Sequence, residues 1–132
     1  MIIDQFARAD RFAARTGIQL IEAGDGYAKA ALDITEEHLN SVGTAHGGVL
    51  FTLADFVFAV ACNSYGTVAV AVNASISYFK AVTQGTLTAT AKEISLQRKL
   101  STYMIEVRDT ENTLVALFQG MAYRKKEEHS FR

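Results

Sequence analysis

The fold of this chain turns on residues 40–63, Asn-Ser-Val-Gly-Thr-Ala-His-Gly-Gly-Val-Leu-Phe-Thr-Leu-Ala-Asp-Phe-Val-Phe-Ala-Val-Ala-Cys-Asn. From Val49 to Cys62 there is neither Gly nor Pro and the run is apolar on every face, which predicts one buried helix entered near His46. The run is shorter than the roughly 20 residues that span a bilayer and carries Asp55 near its middle, so a core helix is expected rather than a membrane segment. Asp55 is the one acidic or basic side chain between Gly47 and Asn63, the Cys62 thiol aside. Burying an unpaired carboxylate is costly, so something must offset it.

Outward from that helix, the totals set the frame. A chain of 132 residues, 49% hydrophobic and 20% charged, has the size and apolar content of one domain over residues 1–132. A net charge of -1 offers no concentrated basic surface, which argues against nucleic acid as a partner. The single cysteine, Cys62, has no intrachain partner for a disulfide and reads as a packing residue. The N-terminus lacks the basic region and apolar core of a signal peptide, so a cytoplasmic location is expected.

Before the helix, Ile2, Phe6, Ala9 and Ala13 form one stripe, predicting a surface helix within residues 1–16 that Gly17 ends. Residues 18–22 and 27–34 flank Ala-Gly-Asp-Gly, a hairpin signal, and Ala28, Ala30, Leu32 and Ile34 share the core face of the second strand. After the helix, residues 68–79 predict a strand of about 40 Å with Val68, Val70, Val72, Ala74, Ile76 and Tyr78 on one side. Residues 86–95 and 102–108 alternate as half-buried strands, and 114–123 is apolar on both faces, as a strand covered on both sides would be. Residues 125–132 read as a solvated, flexible tail. The order predicts an α+β architecture, an antiparallel curved sheet wrapped around one long helix, with small residues where sheet and helix meet.

Asn40, His46-Gly47-Gly48 six residues on, Leu53-Ala54-Asp55 ending nine residues after the histidine, and Ser75-Ile-Ser-Tyr78 downstream make a specific spacing. In these motifs the chain resembles the hotdog-fold thioesterases of the PaaI-like (phenylacetate-degradation, acyl-CoA thioesterase) family, over about residues 5–124. The resemblance implies a hotdog fold and hydrolysis of aryl or short-to-medium acyl-CoA to a carboxylic acid and free CoA. It implies Asp55 as catalytic base or nucleophile, the Gly47 amide as polariser of the thioester carbonyl, and Asn40 and His46 as residues orienting substrate or water. Where some relatives carry a hydroxyl opposite the aspartate, this chain has Val70, Ala71 and Val72, with Asn73 as the substitute.

The residues support that chemistry on their own terms. Gly47 and Gly48 at a helix start let a carbonyl oxygen approach unpaired N–H groups at the positive end of the helix dipole, although glycines there also serve tight packing. Eight residues separate Gly47 from Asp55, about 12 Å along a helix, so one chain cannot bring both to one carbonyl group. If both act on one substrate, the site lies between two subunits of a homodimer, or of a homotetramer built from such dimers. His46 reads either as an orienting group or as a hydrogen-bonded cap, Asn40 either as a substrate contact or as a loop staple, and Asp55 alternatively as bonded to core groups. Gly48 and Asn73, with Lys80, Lys92, Arg98 and Lys99 near strand ends, are candidates for the substrate, the basic ones for CoA phosphates or plain solvation. His38 and His129 have no second ligand at metal spacing, so no metal is expected, and no cofactor beyond the CoA of the substrate. A hotdog hydratase or dehydratase and a non-catalytic acyl-CoA-binding dimer are the rival readings.

Overall fold

The computed structural model describes residues 2–130. Two short helices, α1 (Ile2–Ala9) and α2 (Arg11–Thr16), precede the hairpin β1 (Gln19–Gly24) and β2 (Tyr27–Asp33). A 3-10 turn at Glu36–His38 and a loop lead into α3 (Gly47–Cys62), followed by β3 (Thr67–Tyr78), β4 (Thr86–Leu96), β5 (Leu100–Arg108) and β6 (Leu114–Glu128). The six strands form one sheet in the order β1-β2-β4-β5-β6-β3, antiparallel throughout. α3 packs across its inner face, and this is the expected α+β hotdog architecture.

Side-chain size sets how helix and sheet fit. Ala28 and Ala30 of β2 pair with Ala91 and Ala89 of β4, and all four are buried. These methyl groups let the helix approach the backbone, while Tyr103, Ile105 and Phe118 fill the wider side of the core. At Gly120 a Cβ would fall 2.8 Å from the Phe58 ring, so the helix there rests against bare strand. The hairpin turn forms where Asp25 and Gly26 take positive φ, 51° and 79°.

Four expectations change. The N-terminal helix is two helices, because Asp10 leaves helical geometry and its carboxylate accepts the Ala13 N–H at 2.9 Å as the cap of α2. The tail is not free, since β6 continues to Glu128, pairs with Thr67, and His129 N–H donates to Gly66 O. Backbone pairing with β3 holds these charged residues in a strand whose sides face water; residues 131–132 lie outside the described residues. The outer face of β6 is not covered by the chain, for Gln119 and Tyr123 are exposed and Leu117 and Met121 half-buried. Nor is α3 buried all round: Gly48, Thr52, Asp55 and Ala59, one stripe at helical spacing, stay exposed or half-buried.

β3 departs from its expected burial as well. It lies at the sheet edge, paired on one side only, and a register shift between Ala71 and Asn73 interrupts its alternation. Val70 and Val72 are exposed; only Ala69 is buried. Among the described residues, no helix is long and apolar enough to cross a membrane.

Candidate active site

The loop before α3 is held by its own polar groups. Asn40 Oδ1 accepts the Val42 and Thr44 N–H groups at 3.1 Å each, and its Nδ2 donates to Thr44 Oγ1 at 2.9 Å. The Asn40 backbone N–H adds a bond to Thr44 O at 2.8 Å, so the residue staples a turn whose Gly43 takes φ 82°. His46 N–H donates to His38 O and Ala45 N–H to Val82 O, which ties the loop to its neighbours. His38 is structural: its Nδ1 accepts the Thr35 N–H, leaving Nε2 to donate to Thr16 O at 2.7 Å.

α3 begins at the end of this loop with His46 as its cap. His46 Nδ1 accepts the Gly48 N–H at 2.8 Å, which assigns the ring proton to Nε2 on an exposed imidazole. The Gly48 amide is therefore spent on the cap. The Gly47 N–H has no acceptor among the described residues, and it stands at the positive end of a 16-residue helix. A Cβ on Gly47 would lie 3.2 Å from the Tyr78 hydroxyl, and one on Gly48 3.0 Å from His46 Nδ1, so both glycines also answer a close approach. Gly47 opens on a groove of about 410 Å³ lined by Thr44, Ala45, Leu50, Tyr78, Phe79 and Lys80.

Asp55 sits two turns further along α3, half-buried, with no hydrogen-bond partner among the described residues. Burial raises its carboxyl above the ordinary value, and the Asp10 carboxylate adds to the rise. A bond from Asp55 to core groups is thus absent among the described residues. Cys62 is buried, and burial pushes its thiol up to about 12, which removes it as a nucleophile.

The basic candidates separate. Lys80 borders the groove and is paired with Asp109; this hydrogen bond raises the Lys80 ammonium and lowers the Asp109 carboxyl relative to their ordinary values. Asn73 is exposed on the β3 edge, about 17 Å along the strand from Tyr78. Arg98 and Lys99 lie in the β4-β5 turn, where Lys99 O accepts the N–H of Arg124, itself paired with Ala69. Ala69 and Tyr78 are nine residues apart on β3, so within one chain this turn lies roughly 30 Å from Gly47 and joins no site with it. Lys92 points outward from β4, beside Met104. Among the described residues, no cluster of three or more His, Cys, Asp or Glu side chains is arranged to hold a metal ion. The site residue that hydropathy missed is Tyr78, whose hydroxyl donates to Gly47 O at 3.1 Å. The downstream motif Ser75-Ile-Ser-Tyr78 included it, but strand periodicity assigned it no contact 31 residues back in sequence.

A six-stranded antiparallel sheet wrapped on one helix defines the fold class. The chain belongs to the thioesterase superfamily, whose family model matches residues 42–116, and it is a hotdog-fold thioesterase of the PaaI-like kind. It is 39% identical over 116 residues to the acyl-coenzyme A thioesterase PaaI of Escherichia coli, covering 87% of this chain and 83% of that one. The solved structure of E. coli PaaI, from the phenylacetic acid degradation operon, superposes with a TM-score of 0.90 over 96% of both chains. A structure of the phenylacetic acid degradation protein PaaI from Thermus thermophilus, 38% identical, gives a TM-score of 0.84 over 88% of this chain and 100% of that one.

Proposed function

We propose that the protein hydrolyses acyl-CoA thioesters, aryl or short-to-medium in chain length, to a carboxylic acid and free CoA in a homodimer with two equivalent sites. The observation that carries this reading is the unpaired N–H of Gly47 at the start of α3, in a residue that lines the groove. A thioester carbonyl oxygen seated there meets a fixed donor at the positive end of a dipole, which stabilises the charge it gains as the tetrahedral intermediate forms. One such donor contributes roughly 10²- to 10³-fold in rate.

The carboxylate comes from the other subunit. Tyr78 touches the N-terminus of α3 and Ala69 bonds Asn63 at its C-terminus, so β3 and α3 run side by side in opposite directions. Pairing two β3 edges antiparallel about a twofold axis sets the two helices antiparallel, Gly47 of one facing the body of the other. Asp55 of the partner subunit then serves the carbonyl carbon, as base on a water or as nucleophile, while Gly47 holds the oxygen. The exposed Val70, Val72 and Asn73 support this reading, as residues of a strand edge with a partner to receive. The same operation carries the Arg98–Lys99 turn from the far end of the sheet toward the partner's groove, where Lys80 also lies, to meet CoA phosphates. The protein needs no metal or further cofactor for this chemistry.

Release of free thiol from a panel of aryl-, short- and long-chain acyl-CoAs, by the wild type beside Asp55→Ala and Asp55→Asn, tests the reading. Turnover of one acyl class, lost in both folded variants, supports it. Tight CoA binding with no thiol release from any acyl-CoA would move the non-catalytic binding dimer to the front.

A further inference from the structure

We infer that Tyr78 is a positioning residue of the proposed thioesterase site, which together with His46 clamps the Gly47–Gly48 peptide and so limits the rotation of Gly47, whose N–H lies in the adjoining His46–Gly47 peptide. The inference rests on the thioesterase reading for its purpose and on the hydrogen bonds of the helix start for its geometry.

The polar groups flanking Gly47 can be followed one by one. In the peptide before it, His46 O accepts the Val49 N–H at 2.9 Å and the Leu50 N–H at 3.2 Å. In the peptide after it, Gly47 O, besides its place in the ladder of α3, accepts the Tyr78 hydroxyl at 3.1 Å, and the Gly48 N–H donates to His46 Nδ1 at 2.8 Å. Both peptides are therefore held through their other atoms, and the Gly47 N–H is the one group left to a ligand. Two consecutive glycines are the most freely rotating pair a chain can offer, and the first turn of a helix is its least bonded part. A preorganised donor at such a place needs holding from outside, because an amide that swings gives its stabilisation back as reorganisation.

Tyr78 is suited to that task and to little else in the chain. Its side chain is 50% exposed and adds nothing to the buried core. Its ring lies so close over Gly47 that a Cβ there would come within 3.3 Å of Cζ, so the glycine admits the ring as well as the substrate. Because Tyr78 ends β3, the strand proposed to pair with the partner subunit, the clamp also ties the donor's aim to that strand edge.

Tyr78→Phe removes the hydroxyl and keeps the ring, and two readouts judge it. The first is NMR of the labelled protein: the Gly47 carbonyl ¹³C resonance should move, and the Gly48 amide proton should exchange several-fold faster. The second is steady-state kinetics on the acyl-CoA that the wild type turns over best, where kcat should fall about 5- to 20-fold with KM within twofold. Unchanged Gly47 and Gly48 signals, or a wild-type kcat, would overturn the inference, and a change confined to KM would make Tyr78 a substrate contact instead. Loss of thermal stability with kcat intact would mark a purely structural role and overturn it too. A wild type that hydrolyses no acyl-CoA would sink the thioesterase reading by itself, and the Gly47 and Gly48 resonances would then decide the clamp alone.

Discussion

At its C-terminus α3 ends on Asn63, 3% exposed, whose Nδ2 donates to Ala59 O at 2.8 Å and Ala69 O at 3.1 Å while its Oδ1 accepts the Ala69 N–H at 2.9 Å. Ser64 Oγ accepts the Gly26 N–H and donates to Ala61 O. Beyond it the Tyr65 and Tyr103 hydroxyls both donate to Glu93, and the Arg124 guanidinium stacks 5.3 Å over the Tyr65 ring. At the N-terminus an imidazole, a tyrosine hydroxyl and backbone amides are present, yet the N–H of Gly47, a residue lining a groove, is left without a partner among the described residues. At the C-terminal end the Asn63 and Ser64 bonds anchor the helix to β1-β2 and β3, while Arg124 Nε and Nη2 stay buried without a hydrogen-bond partner among the described residues. The unpaired donor at the other end belongs to a half-buried residue that lines the groove, and it is the group to which the proposed function assigns the thioester oxygen.

Variants at the two ends should therefore divide between stability and turnover. Asp55→Asn should lower kcat/KM by about 10²- to 10⁴-fold in the thiol-release assay. It should also stabilise the protein. The Asp55 carboxyl is raised above 3.8, first by burial and then by Asp10, so the folded state holds its proton more tightly than the unfolded one. Stability then falls as pH rises from the unfolded value through the folded one and stays reduced above it. Thermal unfolding of Asp55→Asn should accordingly exceed the wild type at pH 7, with the gain gone below about pH 4. A variant less stable than wild type at pH 7 would mean that Asp55 has a stabilising partner, and the contrast between the two ends would weaken.

The opposite end should respond in the opposite sense. Asn63→Ala takes the side-chain partner from the Ala69 N–H and the Ala69 carbonyl, while Ala59 O keeps the backbone N–H of residue 63, and urea unfolding should show a loss of about 2–4 kcal/mol with kcat per folded molecule unchanged. Gly26→Ala puts a side chain at φ 79° against Glu93 and Tyr65, for a loss of about 1–2 kcal/mol, again without change in turnover. His46→Ala should cost only about 1 kcal/mol, the usual loss of an exposed helix cap, but lower kcat as well, because the Gly48 N–H loses the acceptor that holds its peptide. If His46→Ala spares kcat, the imidazole is a cap alone.

Much of this could be read from the residues in order. The uninterrupted apolar run gave α3 and its entry at His46, the Asp25-Gly26 pair gave the hairpin, and the alternation of alanines in β2 and β4 gave their inner faces. The Asn40, His46-Gly47-Gly48, Asp55 spacing marked the loop-to-helix junction that the structure shows. What escaped were features set by neighbours far along the chain. Period-two alternation in β3 says which side chains share a face but not that the strand lies at an edge, and a register shift at Ala71 and Asn73 leaves no compositional trace. Nothing in the local pattern marks Asn63, although its side chain bonds three backbone groups. The charges of 125–128 looked like a tail because a strand held by backbone pairing needs no apolar side chains of its own.

The sequence by itself determined most of the elements, the small-residue seam between helix and sheet, and the spacing of a glycine and a carboxylate on one helix, which needs two chains if both are to serve one substrate. These are local properties, carried by residue type, period and rise per residue. The tertiary structure alone decided that Asn40 spends its amide on its own loop, that the Arg98–Lys99 turn lies at the far end from Gly47, and that Tyr78 reaches Gly47 O. Hydrogen bonds and proximity between residues distant in sequence exist only once the chain has packed, and no local pattern encodes them.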